Sequence, residues 1–380
     1  MKRPHFVPKI GVTNYIRPWV VLALIVILIG FCILGLVVAL RKLTPPPTYK
    51  STGPQNYVET PSPSIFGDVE VPPAGPKALL KGATWIPQTF NNCGPATTSM
   101  ILQYFGHTVG QDQTKAHLRT NPTDTNVFTY EIQEYLKSQY DIDSKLFYNG
   151  DLQKIKLLIA NGFYVMVEDW LHPNEDIGHV TILKGYDDEQ GVFIADDSFI
   201  GVNIVYKYEE FETTQWKAFN REYLPVYKSE MEPVLKKIIG QDWDRETMYE
   251  KAIEKATQEI RQNDRDMYAY FNLGTSYYAL GQYQNAYNAF EKSRELGWPR
   301  RMLWYQIEPI QTLNELAKFD EALRLIDPVL AGNASFAELH YEKARAYKGL
   351  GQTEKARSEA QTALIHTPNY QKAKDLLSTL

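Results

Sequence analysis

The spacing of apolar and polar residues changes character four times along the chain. From Trp19 to Leu40 it reads WVVLALIVILIGFCILGLVVAL, 22 residues without a charge, which at a helical rise of about 1.5 Å per residue covers a bilayer core of about 30 Å. This predicts a transmembrane helix. The run is longer than the apolar core of a secretory signal, about 7 to 15 residues, and no small-x-small cleavage pattern follows it. Residues 43–76 are proline-rich with few aliphatic positions at regular spacing, which predicts a semi-extended spacer unable to order itself by burial. From residue 79 the signals alternate. Ala96 to Phe105 has helical spacing ending at Gly106, and Val127 to Leu136 reads as a short helix. From Leu152 a helix stops near Gly162 and a buried strand follows, while HVTILKGY and VFIAD are strand-like runs joined by a DDEQG turn. With Tyr223 to Tyr227 closing the unit, residues 79–230 are predicted to form an α+β domain. Past Met231 the strand signals stop, and the pattern is helical to the C-terminus.

Three stretches of that helical region align: ALGQYQNAYNAFEKS, ELAKFDEALRLIDPV and GLGQTEKARSEAQTA. Gly281, Ala317 and Gly351 recur at intervals of 36 and 34 residues, as do Ala286, Ala322 and Ala356, near the 34 of tetratricopeptide repeats, which the region resembles. Small residues at these positions are expected to let paired helices approach closely. YEKAIEKATQEIRQND reads as the second helix of an earlier, incomplete repeat, giving about three and a half repeats over residues 244–380. Such an array predicts a groove for a peptide or protein partner, with Tyr268, Tyr270, Tyr277, Tyr278 and Tyr341 packing between helices.

Charge narrows the function. The chain of 380 residues carries a formal net charge of −5, so it has no basic surplus to neutralise phosphates, and nucleic acid is excluded as a partner. Lys2, Arg3, Lys9 and Arg17 precede the apolar run without an acidic residue, and Arg41 and Lys42 follow it. The bias predicts a cytoplasmic N-terminus, residues 1–18, with everything after Lys42 outside the cytoplasm. Of two cysteines, Cys32 lies in the apolar run, so Cys93 is expected to be a free thiol.

Cys93 falls where a turn marked by Gly94 and Pro95 opens a helix. Unsatisfied amides and the positive dipole end favour a thiolate there. Gln88, five residues earlier, is close enough along a loop to aim its amide at a developing oxyanion. The base of a thiolate comes from a different element, and His179 opens the first strand of the hairpin. Asp196 and Asp197 close the second, which brings one carboxylate beside the imidazole to fix its tautomer. His172, with Glu168, Asp169 and Asp176, offers calcium-ligand types in EDWLHPNEDIGH, but the stretch reads as a solvated acidic loop; no metal and no cofactor is expected.

The blocks WIPQTFNNCGPAT, GHVTILKGYD and VFIADDS resemble the bacteriocin-processing, double-glycine cysteine peptidases and their stand-alone relatives, over residues 79–227. The resemblance implies a papain-like fold in which Gln88 is the oxyanion donor, Cys93 the nucleophile, His179 the base and Asp196 the orienting carboxylate. Members often carry Asp-Pro where this chain has Asp196-Asp197, so Asp197 is a second candidate. The expectation is a membrane-anchored cysteine peptidase hydrolysing peptide bonds outside the cytoplasm, with a repeat domain that binds a protein or peptide. The alternatives are a peptide-binding scaffold on the same fold, and a thioester-forming amidase or transferase.

Overall fold

Alternating strand residues and the turns between them build an antiparallel sheet of seven strands in the computed structural model, which describes residues 47–50, 57–58, 70–119, 121, 123 and 127–380. The predicted transmembrane helix Trp19–Leu40 and the residues before it lie outside the described residues, among which no helix is long and apolar enough to cross a membrane. The strands are β1 (Lys77–Leu79), β2 (Asp143–Ser144), β3 (Tyr164–Trp170), β4 (Gly178–Asp187), β5 (Val192–Asp197), β6 (Gly201–Lys207) and β7 (Tyr223–Tyr227), in the spatial order β2-β7-β3-β4-β5-β6. β1 pairs with the far end of β4, where β3 has ended.

Strand periodicity assigns the two faces. Met166, Val180, Ile182, Leu224 and Val226 point to one side, where α1 (Cys93–Tyr104), α2 (Gln111–Leu118) and α3 (Thr129–Tyr140) cover them. Val165, Val167, Leu183 and Phe193 point to the other, under α4 (Leu152–Ala160) and α5 (Glu232–Ile239). The described parts of the spacer lie against this domain. The amide of Tyr49 donates to the carbonyl of Asn203, that of Val58 to Leu79, and Asn161 Nδ2 to the carbonyl of Pro72, while Val58, Val71 and Ala74 pack on the core. Unpaired backbone at the sheet edge supplies the order that the spacer's own side chains do not.

The repeat region consists of α6 (Arg245–Gln262), α7 (Met267–Ala279), α8 (Tyr283–Leu296), α9 (Glu308–Glu315), α10 (Phe319–Gly332), α11 (Ala337–Gly349), α12 (Thr353–His366) and α13 (Gln371–Ser378). Ala286, Ala322 and Ala356 are fully buried, as close helix approach requires. Gly281, Ala317 and Gly351 are small for a different reason: all three have left-handed backbone, with φ of 71°, 56° and 71°, at the turn inside each pair. A Cβ at Gly281 or Gly351 would touch nothing, so packing plays no part there.

The repeats and the sheet domain share apolar clusters. Met248 and Tyr249 of α6 sit in the core beneath Val165 and Phe193. Trp170 and Phe219 of the sheet domain pack with Phe271, Phe290 and Met302 of the repeats. Tyr268, expected between helices, accepts a hydrogen bond from Trp170 Nε1 at 2.8 Å.

Candidate active site

The hairpin register decides which aspartate meets the imidazole. Thr181 lies opposite Asp197, and Ile182 opposite Asp196; cross-strand partners share a face, and His179 shares the face of Thr181. Asp197 Oδ2 is accordingly 2.9 Å from His179 Nε2 and also accepts from Tyr206 Oη at 3.1 Å. Its Oδ1 accepts the amides of Phe199 and Ile200 at 2.6 and 2.7 Å. Asp196, the residue expected to orient His179, faces the α1 side instead. There it binds Lys184 Nζ at 2.7 Å, Tyr104 Oη at 2.9 Å, and the amides of Ala83 and Asn203, each at 3.0 Å. The two neighbours serve different faces, so the carboxylate beside His179 is Asp197.

Cys93 begins α1, and the helix is tied to the His179 strand by Thr97, whose hydroxyl donates to the carbonyl of Val180 at 3.1 Å. The half-buried Cys93 and the buried His179 line the same cleft, close enough for the sulfur to act on the imidazole. Because Nε2 faces Asp197, Nδ1 is the ring nitrogen left for the sulfur. Burial opposes a charged His179, but the charge and hydrogen bond of Asp197, with Cys93 adding to them, raise it well above an ordinary histidine. Asp197 moves the other way: burial would raise it, and His179 with the two loop amides brings it below the usual carboxylate range.

Gln88 is fastened to the residue after β5. Its amide donates to the carbonyl of Ser198 at 2.8 Å, and its Oε1 accepts from Ser198 Oγ at 2.8 Å. The side-chain NH2 is thereby left as a donor on the cleft. Ser198 was not singled out in the sequence, although its place directly after the aspartate pair is a usable signal. Arg119 was also missed. It reaches the Asn91 carbonyl at 2.9 Å and Asn92 Oδ1, bracing a turn in which Asn91 has φ of 56°, and nothing local in the sequence announces that.

Cys93, His179 and Gln88 open on a cleft of about 440 Å³, whose lining also includes Phe199, Ile177 and Glu168. Burial, followed by the charges of Glu222 and Cys93, raises the carboxyl of Glu168 well above its ordinary value. Asp169, opposite His179 in the β3 to β4 register, is fully buried with Oδ2 unbonded. Burial pushes it up and His179 only partly offsets this. Asp176, from the acidic loop, pairs with Arg301 at 2.7 Å. Among the described residues no group of three or more His, Cys, Asp or Glu is arranged to hold a metal ion.

Residues 80–224 match the model of the Peptidase_C39 like family, and residues 267–297 match that of the tetratricopeptide repeat. The chain therefore carries a Peptidase_C39-like domain followed by a tetratricopeptide repeat region. Among solved structures it is similar to MamA (41-end) from Desulfovibrio magneticus RS-1, at 25% identity and TM-score 0.33, over 38% of this chain and 81% of that one. It is also similar to a double glycine motif protease from an AMS/PCAT transporter in complex with the leader peptide, at 18% identity and TM-score 0.30, over 39% of this chain and 92% of that one. YrrB, a TPR protein with an unusual peptide-binding site, aligns at 18% identity and TM-score 0.22, over 35% of this chain and 84% of that one. No curated protein matches the chain.

Proposed function

We propose that this chain is a cysteine peptidase that hydrolyses peptide bonds, anchored in a membrane by Trp19–Leu40 with its catalytic and repeat regions outside the cytoplasm. The observation that carries the catalytic part is the single imidazole of His179, bonded through Nε2 to Asp197 and sharing one cleft with Cys93. The Cys93 proton passes to His179 Nδ1, and the sulfur attacks the carbonyl carbon of the scissile bond. The carbonyl oxygen takes the negative charge, facing the Gln88 NH2 and the amide of Cys93, which as a first-turn amide has no intrahelical acceptor. The imidazolium returns its proton to the leaving amine as the carbon–nitrogen bond breaks, leaving a thioester. His179 then takes a proton from water as the water oxygen attacks the thioester, and Cys93 leaves with the proton restored. Asp197 keeps Nε2 protonated throughout and steadies the imidazolium.

The repeats are proposed to help hold the peptide or protein substrate. Incubating the chain with a peptide library and weighing the products tests the reaction: hydrolysis adds one water per cut, whereas acyl transfer to an amine does not. Cys93→Ala is expected to abolish turnover while peptide binding is retained. Turnover that survives Cys93→Ala rejects the proposal.

A further inference from the structure

Every repeat but one joins its second helix to the next repeat by a short link. Residues 263–266, 333–336 and 367–370 serve between α6 and α7, α10 and α11, and α12 and α13. Between α8 and α9 the link is residues 297–307, eleven instead of four, and α9 has 8 residues where α7 and α11 have 13. The longer interval from Gly281 to Ala317 records two of the extra residues, and the rest come from the shortened start of α9. A repeat that only stacks on its neighbours has no use for this departure.

The link reaches the catalytic cleft. Arg301 binds Asp176 through both its guanidinium, at 2.7 Å, and its backbone amide, at 3.1 Å. Gln306 Nε2 donates to the carbonyl of Ala218 at 2.8 Å. Between these anchors, Trp304 and Tyr305 line the same cleft as Cys93 and His179. Tyr305 lies so close over Gly178, the neighbour of His179, that a Cβ there would be 2.6 Å from its ring. The cleft also exposes apolar side chains. Of seven large hydrophobic residues exposed among those described, Phe90, Ile177 and Phe199, at 91%, 42% and 54%, all belong to this cleft.

We infer that the 297–307 link is a wall of the substrate cleft, and that Trp304 and Tyr305 form a subsite for a bulky apolar side chain next to the bond that Cys93 attacks. The identity of the occupant as a peptide rests on the peptidase reading above. The wall lies outside residues 80–224, so the peptidase domain's specificity depends on the repeats fused to it. A purely mechanical strut would leave all peptides equally affected by its loss, whereas a subsite discriminates among them.

The test uses the full chain carrying Cys93→Ala and labelled decapeptides that differ only by Gly, Leu or Phe at one scanned position. Polarisation binding is expected to show a preference for Leu or Phe over Gly at one position of about 10-fold or more, the scale of a side chain filling an apolar pocket. Adding Trp304→Ala abolishes that preference, and Trp304→Phe, which keeps an aromatic wall, restores most of it. No preference in the starting chain, or an equal loss for every peptide with Trp304→Ala, overturns the inference. The same peptides incubated with the chain that retains Cys93 judge the peptidase reading separately. Selective binding without cleavage rejects catalysis and keeps the wall; cleavage whose preference survives Trp304→Ala rejects the wall and keeps the peptidase.

Discussion

Burial works against a charged His179, and the Asp197 carboxylate is the largest force overcoming that cost. Since the proton on His179 is held above the ordinary value, the imidazolium persists past pH 6.5. Activity that needs it should fail only as pH rises through the raised value. Asp197→Asn removes the attraction, so the alkaline limb of kcat/KM should move to lower pH, with a loss of about 100-fold or more near neutrality. Asp196→Asn should behave differently, because it strips a buried Lys184 of its counter-charge. The expected cost is about 3 kcal/mol of stability, read as a lower urea midpoint, with the alkaline limb in place. If Asp196→Asn moves the limb and Asp197→Asn does not, the assignment of the two carboxylates is reversed. Cys93, His179 and Gln88 were legible in the sequence because each sits at a local landmark: a helix start, a strand start, a loop before a turn. The choice between adjacent aspartates was not, because it depends on a cross-strand register that slips at Leu183 to Gly185, and a slip of one residue exchanges faces.

Among the elements, most helices and the central hairpin followed from periodicity, while β1, β2, β6 and α2 did not. α2, QDQTKAHL, buries only Thr114 and Leu118, so it has almost no apolar stripe to see. β6 does alternate, through Val202, Ile204 and Tyr206, but Gly201 at its start and Asn203 within it, with φ of 55°, weaken the strand signal. Gly281, Ala317 and Gly351 stood out by their spacing and were expected to serve helix contact, whereas left-handed backbone at the turns selects the small residue. This makes Ala317 testable. An L-residue in the left-handed region costs about 1–2 kcal/mol, and glycine in its place gives back about 0.4–1 kcal/mol through its looser unfolded chain. Ala317→Gly should therefore stabilise the chain by about 0.5–1 kcal/mol, seen as a higher thermal midpoint. A neutral or lowered midpoint would mean that the methyl group contributes contacts of its own.

At the scale of the whole molecule, the sequence pattern predicts a sheet domain over residues 79–230 and a repeat region over residues 244–380, and the two form one compact body from Thr48 to Leu380. Sequence periodicity shows which face of each helix is apolar but not which distant face it meets, so the seam was invisible. Part of that seam is acidic. Glu222, bonded to Thr129, feels the charge of Glu308 at the start of α9, and both act on Glu168. Burial is the leading cause that raises both Glu222 and Glu308 from 4.5 to about 7, and Glu308 Oε2 has no bonding partner. Each group thus binds its proton more tightly folded than unfolded. The stabilisation is complete below about pH 4.5 and is lost as pH rises toward 7, because the unfolded chain ionises first. For one such group the span is at most about 3 kcal/mol, and less for Glu308, which keeps some solvent contact. The urea midpoint should accordingly fall between pH 5 and pH 8, and Glu308→Gln, neutral at every pH, should flatten that fall by raising the midpoint at pH 8 more than at pH 5. An equal change at both values would show that Glu308 already carries its charge in the folded seam, and the pH response would then have to come from Glu222 and Glu168.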